Sequence, residues 1–375
     1  MLMIAHLDVV PARREDWSLD PWTFTERDGW FYGRGTSDNK FGVALLAANF
    51  IRLRREGWQP QRDVVIAFTG DEETTSVGIR WLLEERRPLV DAEFALNADA
   101  GALILKNGRP SIFTVQASEK MYMDLELQAA DKGGHSSLPG PGNPVYAVAE
   151  ALVRIAEYKF PVNITEVSRA FFERSALVES GQLAADMKVI GQGRSDKTVV
   201  ERLSAIPFYN ARLRTTCVAT RVEGGHANNA LPQRAKAILN CRILPGESAG
   251  DVEATVRRLA GKSVEVRVVN PADPSPPSPV GGPVLQTLER LVAEQWPGVP
   301  VSPMMETGAT DGLWVRRAGI PTYGIAAITE DPDDVRAHGK DERVGVEAFY
   351  QATEFWYRMI RAFAGGEQAG TGPAR

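Results

Sequence analysis

Two periodicities alternate along the first hundred residues. Residues 2–5 form a short unbroken apolar run ending at His6, which reads as a buried strand already under way where the chain opens. Over Lys40–Arg55, the residues Phe41, Val43, Ala44, Leu45, Ala48 and Leu53 recur at near-helical spacing, and Gly57 follows as a stop. That spacing predicts a helix. Residues 64–68 are apolar and β-branched up to Thr69-Gly70, predicting a second buried strand. A helix over Val77–Glu85 and an apolar strand over 92–98 continue the alternation. The pattern predicts an α/β architecture, with a mostly parallel sheet covered by helices.

The pattern changes after Asn107-Gly108, a hairpin dipeptide. Between 121 and 129, Met121, Met123, Leu125 and Leu127 alternate with Asp124, Glu126 and Gln128, as in a sheet with one wet face. A helix over 145–158 follows, then strands over 213–222 and 235–243 that bracket a Gly-Gly turn region, and then a helix and strand within 251–269. Residues 270–283 hold six prolines and continue neither kind of element, so they read as a linker. Beyond them the alternation resumes and ends in an amphipathic helix carrying Phe349, Thr353, Trp356, Ile360 and Phe363 on one stripe. The expected division is a split α/β catalytic domain, 1–116 and 273–375, interrupted by an inserted α+β domain over 117–272.

Composition narrows the field of functions. The 375 residues suggest two or three domains at about 150 residues each, and 43 % apolar with 24 % charged residues is the balance of a soluble globular protein. Against 43 basic residues stand 48 acidic ones, a net charge of −5, and no lysine or arginine block forms a phosphate-binding stripe, so nucleic acid is not an expected partner. The longest apolar run, 43–51, contains Asn49 and falls far short of the roughly 20 residues that span a bilayer. No membrane partner is expected either. No signal peptide is visible, so the chain as given is read as cytoplasmic, and as exported if an upstream segment carried such a signal. Cys217 and Cys241 fit no metal or redox spacing; they are read as free thiols that at most face each other across a hairpin.

Acidic residues stand at the ends of the predicted strands: Asp8 after His6, Asp38 in a Gly-rich turn, Glu72-Glu73 after Thr69-Gly70-Asp71, and Asp99. In open α/β sheets the carboxyl ends of the strands converge on one crevice. Carboxylates packed a few ångströms apart cannot all stay ionised without cations, and a metal site resolves the conflict. Three ligating carboxylates (Asp38, Glu73, Asp99) and one hydroxide balance two divalent ions, with His6 and His338 as neutral ligands. Mixed imidazole and carboxylate donors suit zinc, with cobalt or manganese as substitutes. Neighbouring residues of an extended segment point opposite ways, so one of Glu72 and Glu73 ligates while the other faces the water. Asp8, two residues from His6, is placed to accept the ring N–H that the metal does not use.

Taken singly, each residue has a plainer reading. His6 fits a core histidine, Asp38 an Asx-turn, Glu72-Glu73 a helix N-terminus and Asp99 turn chemistry. His338 and His135 fit exposed loops, and Arg242 fits a sheet-face partner of Glu247. Gly33-Arg34-Gly35 lacks the third glycine of a dinucleotide motif. The combination in order is what points to the metal site.

Six segments in order resemble the motifs of the M20 zinc metallopeptidases: His6-Leu7-Asp8-Val9-Val10-Pro11; Gly33-Arg34-Gly35 through Asp38 and Lys40; Gly70-Asp71-Glu72-Glu73; Asn97-Ala98-Asp99-Ala100-Gly101; Gly133-Gly134-His135-Ser136-Ser137; and Ala337-His338-Gly339 through Glu342-Arg343. Ser118-Glu119-Lys120 resembles the carboxypeptidase S and N-acyl-amino-acid hydrolase branch. The resemblance implies that Asp38 bridges two zinc ions, with Glu73 and His338 completing one site and His6 and Asp99 the other. It implies Glu72 as the general base on the bridging water, and an inserted domain that serves as lid and homodimer interface. His135 resembles the histidine that reaches the partner's site to stabilise the oxyanion; Asn229 and Arg242 resemble lid residues that hold the substrate carboxylate, and Gly308 the loop lining the substrate site. Family members also carry a helix and a strand ahead of the first motif. The expected activity is cleavage of an amide or peptide bond beside a free carboxylate, as a carboxypeptidase or dipeptidase. The alternatives are an N-acyl-amino-acid amidohydrolase, or an inactive fragment that binds peptide or metal.

Overall fold

The computed structural model describes residues 1–365. The larger sheet has eight strands, in the order Ile328–Glu330, Ala102–Lys106, Arg109–Glu119, Thr322–Gly324, Ala95–Asn97, Leu2–His6 and Val65–Thr69, with Val301–Glu306 paired beside Arg109–Glu119. Most of its ladders are parallel, as the alternating pattern predicts. The Asn107-Gly108 turn joins the antiparallel pair Ala102–Lys106 and Arg109–Glu119.

The first strand shows why its sequence lacks alternation. Leu2 and Ile4 pack with Ile79, Leu83 and Val315 on one face, while Met1, Met3 and Ala5 pack with Leu45, Leu46 and Phe355 on the other. With both faces dry, every position must be apolar. Helices Lys40–Arg55, Pro283–Gln295 and Val346–Ala364 cover one face of the sheet; Val77–Glu85 and Gly312–Arg317 cover the other. Trp356 and Ile360, on the stripe of the last helix, are fully buried.

A second, four-stranded antiparallel sheet has the order Thr216–Gly224, Arg234–Ile243, Met121–Ala130 and Glu265–Asn270. Met121, Met123, Leu125 and Leu127 pack under helices Pro144–Glu157 and Ala249–Ala260, leaving Asp124, Glu126 and Gln128 on the wetter face. Cys217 and Cys241 face each other at one register position of this sheet, with Cα atoms 4.1 Å apart, and form a disulfide. The reading of free thiols is corrected: strand pairing brings the two residues together regardless of their 24-residue separation.

Four short helices, Glu166–Ser175, Gly181–Gly191, Lys197–Ser204 and Pro207–Leu213, were not predicted. Each is only two or three turns long, and together they gather Phe171, Phe172, Met187, Ile190, Leu203 and Leu213 around Met304 of the larger sheet. Their order comes from that shared packing rather than from strong individual periodicity. No described helix is long and apolar enough to cross a membrane.

The chain crosses from one sheet to the other at Lys120, between Glu119 and Met121. Lys120 is wholly buried, and its Nζ donates to the Arg214 carbonyl at 2.8 Å and to Thr216 Oγ1 at 3.3 Å. Burial lowers its pKa from 10.5 to about 7. Between those values the unfolded chain binds a proton that the folded chain lacks, so stability rises with pH, by at most about 1.36 kcal/mol per unit. Lys120→Met should remove this part of the rise, as checked by urea unfolding of both proteins at several pH values from 7 to 10.

Candidate metal centre

Strand ends and the loops beyond them build the site. His6 closes the strand Leu2–His6, pairs with Thr69 of the neighbouring strand and is 1 % exposed. Its Nε2 lies 3.0 Å from Asp38 Oδ1 and 3.4 Å from Asp99 Oδ1. The other oxygen of Asp38, Oδ2, lies 3.0 Å from His338 Nε2, which is 3.1 Å from Glu73 Oε1. Asp38 therefore presents one oxygen to a His6–Asp99 pair and the other to a His338–Glu73 pair. One ligand atom each from His6, Asp38 and Glu73 lies within 4.8 Å of the others.

These spacings fit metal ligation. Two donors at about 2.0 Å from a tetrahedral ion stand roughly 3.3 Å apart, close to the 3.0 to 3.4 Å observed on each side of Asp38. The electrostatics point the same way. Burial raises Glu72 to about 9 and Asp99 to about 6, and Glu73 is raised by burial and by the nearby Asp38. Burial opposes the charged form of His6, yet hydrogen bonds to Asp38 and Asp99 push it up to about 12. Without added positive charge the cluster holds protons at neutral pH; divalent cations would displace them.

The turn carrying both glutamates is set by Asp8, whose carboxylate accepts the backbone N–H of Glu72 at 3.2 Å and of Glu73 at 3.0 Å. His6 Nδ1 lies 3.1 Å from the Asp8 carbonyl and 3.4 Å from its carboxylate, so the carbonyl is the nearer acceptor. With the turn fixed, Glu73 meets Asp38 and His338, while Glu72 feels chiefly Asp99 and His6. The Glu72 carboxylate accepts no hydrogen bond among the described residues.

A buried ion pair joins the two loops that supply Asp38 and His338. Arg34 and Glu342 are 6 % and 0 % exposed and bond directly. Glu342 Oε1 accepts the N–H groups of Ser37 at 2.8 Å and Asp38 at 3.0 Å, while Arg34 Nη2 donates to the carbonyls of His338 and Gly339 at 3.3 and 3.2 Å. A second buried hub, Glu119, bonds Arg316 and accepts from Thr310 N at 3.0 Å and Thr310 Oγ1 at 2.7 Å, fixing the loop after Gly308. Asp311 closes this loop: it accepts from Thr69 Oγ1 at 2.5 Å, and burial raises it to about 7.

None of Arg34, Glu342, Glu119, Arg316 and Asp311 is given a role by the sequence reading. The signal for Glu119 was present. Glu119-Lys120 lies in a continuous strand-like run with no turn residue, a place where a charged pair of residues points to burial at the junction of two sheets.

The residues expected on a lid fall into two groups. His135 and Asn229 meet on an exposed ribbon, where Gly134–His135 pairs with Ala230–Leu231 and Ser136 N donates to the Asn229 carbonyl at 3.0 Å. His135 Nδ1 lies 2.7 Å from Ser137 Oγ, and neither residue hydrogen-bonds the carboxylate cluster among the described contacts. Arg242 reaches the catalytic side: it stacks over Tyr122 at 4.5 Å and donates to the Thr307 carbonyl at 3.2 Å, beside Gly308. Glu247 bonds Asn163 and Thr215 instead, so the alternative Arg242–Glu247 pairing is not formed.

Two cavities meet at the loop Ala309-Thr310. One, of about 390 Å³, is lined by Asp38, Asp99 and Gly308; the other, of about 330 Å³, by Glu72, Glu73 and Tyr122.

A parallel α/β sheet with carboxylates and histidines gathered at its strand ends defines a metal-dependent hydrolase. The chain belongs to peptidase family M20/M25/M40, whose model matches residues 2–362. It is 31 % identical over 379 aligned positions to the human N-fatty-acyl-amino acid synthase/hydrolase PM20D1, covering 96 % of this chain and 73 % of that protein. It is 27 % identical to the probable carboxypeptidase S-like 2 of Dictyostelium discoideum, covering 96 % and 71 %. The M20 family metallo-carboxypeptidase Sso-CP2 of Sulfolobus solfataricus shares its fold, with a TM-score of 0.70, 21 % identity and coverage of 97 % and 84 %. The protein is a hydrolase acting on C–N bonds.

The Arg34–Glu342 pair yields a prediction. Removing one partner strands a buried charge, so Glu342→Gln should cost about 3–5 kcal/mol in urea unfolding. By loosening the backbone of Asp38 and His338 it should also weaken metal affinity about 10- to 100-fold, as read by titration with a competing chelator.

Proposed function

We propose that this chain holds two zinc ions and hydrolyses the amide bond of an N-acyl amino acid with a free carboxylate. The observation that carries the reading is Asp38, whose two oxygens face two separate donor pairs. In this reading His6 and Asp99 hold one ion, Glu73 and His338 the other, and Asp38 both. Bound zinc supplies a water that ionises near neutral pH and polarises the scissile carbonyl.

The protein's own groups do the rest. Glu72, half-buried and free of hydrogen bonds from neighbouring side chains, takes the proton of the attacking water and returns it to the departing amino nitrogen. Its raised pKa suits that return. Arg242 grips the substrate carboxylate with its planar fork, and Asn229, on the ribbon with His135, reaches that carboxylate only from a second copy of the chain. His135 acts in a second copy of the chain, donating to the negative charge that develops on the carbonyl oxygen. The inserted domain, 117–272, is then lid and dimer interface. The outer strand Thr216–Gly224 supports that role, being an unpaired edge with Val218 and Val222 exposed at 61 and 64 %.

The identity to the human N-fatty-acyl-amino acid synthase/hydrolase favours an N-acyl amino acid over a peptide. Carboxypeptidase action is the second reading, favoured by the carboxypeptidase S-like relative. The test compares metal-dependent turnover of N-acyl amino acids and of dipeptides, with and without chelator. A preference for dipeptides would replace the first reading by the second; no turnover of either would leave a binding fragment.

Two variants check the roles. Glu72→Gln should retain two equivalents of metal by elemental analysis and lose about 10²- to 10⁴-fold in kcat. Arg242→Ala should raise KM about 10- to 100-fold for substrates with a free carboxylate, as expected for a lost charged hydrogen bond. It should leave the poorer turnover of the corresponding carboxamides unchanged, which steady-state kinetics on both substrates would show.

A further inference from the structure

The cavity beside Asp38 and Asp99 does not end at the catalytic residues. Ile104, Thr114, Met304, Glu306, Glu330 and Val335 line both it and a second cavity of about 620 Å³, which lies between the larger sheet and the helices Glu166–Ser175 and Pro207–Leu213. The two spaces are therefore contiguous across Met304. The second is walled by Ile112, Phe171, Phe208 and Val178, within the size range that encloses a small ligand.

The charged groups on this wall are accounted for. Arg212 stacks on the Phe208 ring at 3.7 Å and donates to the Phe208 carbonyl at 3.1 Å, so its guanidinium is engaged by the wall itself. Burial pushes Glu306 and Glu330 towards their neutral forms. At the rim, Lys106 donates to the Val178 carbonyl at 2.9 Å and to Glu179 at 2.8 Å. Between these points the lining is mostly hydrocarbon, aromatic ring and the adaptable Met304 thioether, interrupted by the hydroxyls of Ser111, Thr114, Ser175 and Tyr209. On the opposite side of the Ala309-Thr310 loop, Tyr122, on which Arg242 stacks, lines the Glu72–Glu73 cleft. A substrate whose amide sits at Asp38 and whose carboxylate lies on the Tyr122 side has the space bordered by Met304 open to its acyl group.

We propose that the second cavity is the acyl-chain chamber of this enzyme, taking the unbranched hydrocarbon tail of a medium- to long-chain N-acyl amino acid past Met304 and under the helices of residues 166–213. The proposal rests on the N-acyl-amino-acid reading above and adds the site that sets chain length.

The test uses the full chain loaded with zinc and a series of N-acyl derivatives of one amino acid, from acetyl to dodecanoyl. Burial of each methylene is worth about 0.8 kcal/mol, so kcat/KM should rise by about fourfold per methylene until the chamber fills. Val178→Trp and, separately, Ile206→Trp narrow the chamber from its rim, and each should lower the dodecanoyl-to-acetyl ratio of kcat/KM at least tenfold. The acetyl substrate reports folding. A flat length dependence, or a ratio that both variants leave intact, would overturn the chamber while leaving the hydrolase reading standing. Calorimetric binding of N-dodecanoyl and N-acetyl amino acid to the Glu72→Gln protein separates the two readings. If no N-acyl amino acid is turned over, the proposed function fails, and the chamber stands only if binding strengthens with chain length and Val178→Trp abolishes that gain; length-independent binding overturns it.

Discussion

The buried pair of Arg34 and Glu342 holds the active crevice together. These residues are 308 positions apart, yet one glutamate oxygen fixes the backbone of Ser37 and Asp38 while the arginine fixes the carbonyls of His338 and Gly339. Asp38 and His338 belong to opposite halves of a chain interrupted by another sheet, and a 3.0 Å contact between them needs both loops to be rigid. Charge-assisted hydrogen bonds in a dry site supply that rigidity where loop backbone alone would not. The same logic recurs at Glu119, which ties the 308–311 loop to the strand leading into the second sheet.

Rigidity of this kind has an electrostatic purpose. Asp38, Glu72, Glu73, Asp99 and Asp311 crowd one crevice, and burial together with mutual repulsion favours the protonated form in most of them. A softer framework would let the carboxylates swing out to solvent. Held in place, they form a cavity of negative charge that cation binding would relieve, with donors on both sides of Asp38. The one acid without a hydrogen-bonded neighbour, Glu72, keeps the freedom to carry a proton.

The crevice opens in two directions, and the difference between them bears on specificity. One side is bordered by Glu72, Glu73 and Tyr122 under Arg242, which suits the charged end of a substrate. The other borders, across Met304, a cavity beneath the helices Glu166–Ser175 and Pro207–Leu213, where most of the wall is apolar. The catalytic sheet fixes the chemistry, while segments outside its helical layers shape what it accepts.

The sequence by itself determined the parallel sheet, because strands dry on both faces must be apolar throughout and helices on its surface must repeat at their own period. It also determined most of the candidate site, since His6, Glu72, Glu73 and Asp99 stand at or just beyond strand ends that any such sheet brings to one edge, whereas Asp38 lies just ahead of the helix Lys40–Arg55. His338 was legible only through its motif. Tertiary structure decided what depends on long-range pairing: the Arg34–Glu342 and Glu119–Arg316 pairs, the Cys217–Cys241 disulfide across adjacent strands, and the four helices that are ordered by packing on Met304. Local period records which face of an element is dry. It carries no information on which distant charge, sulfur or side chain will be waiting there.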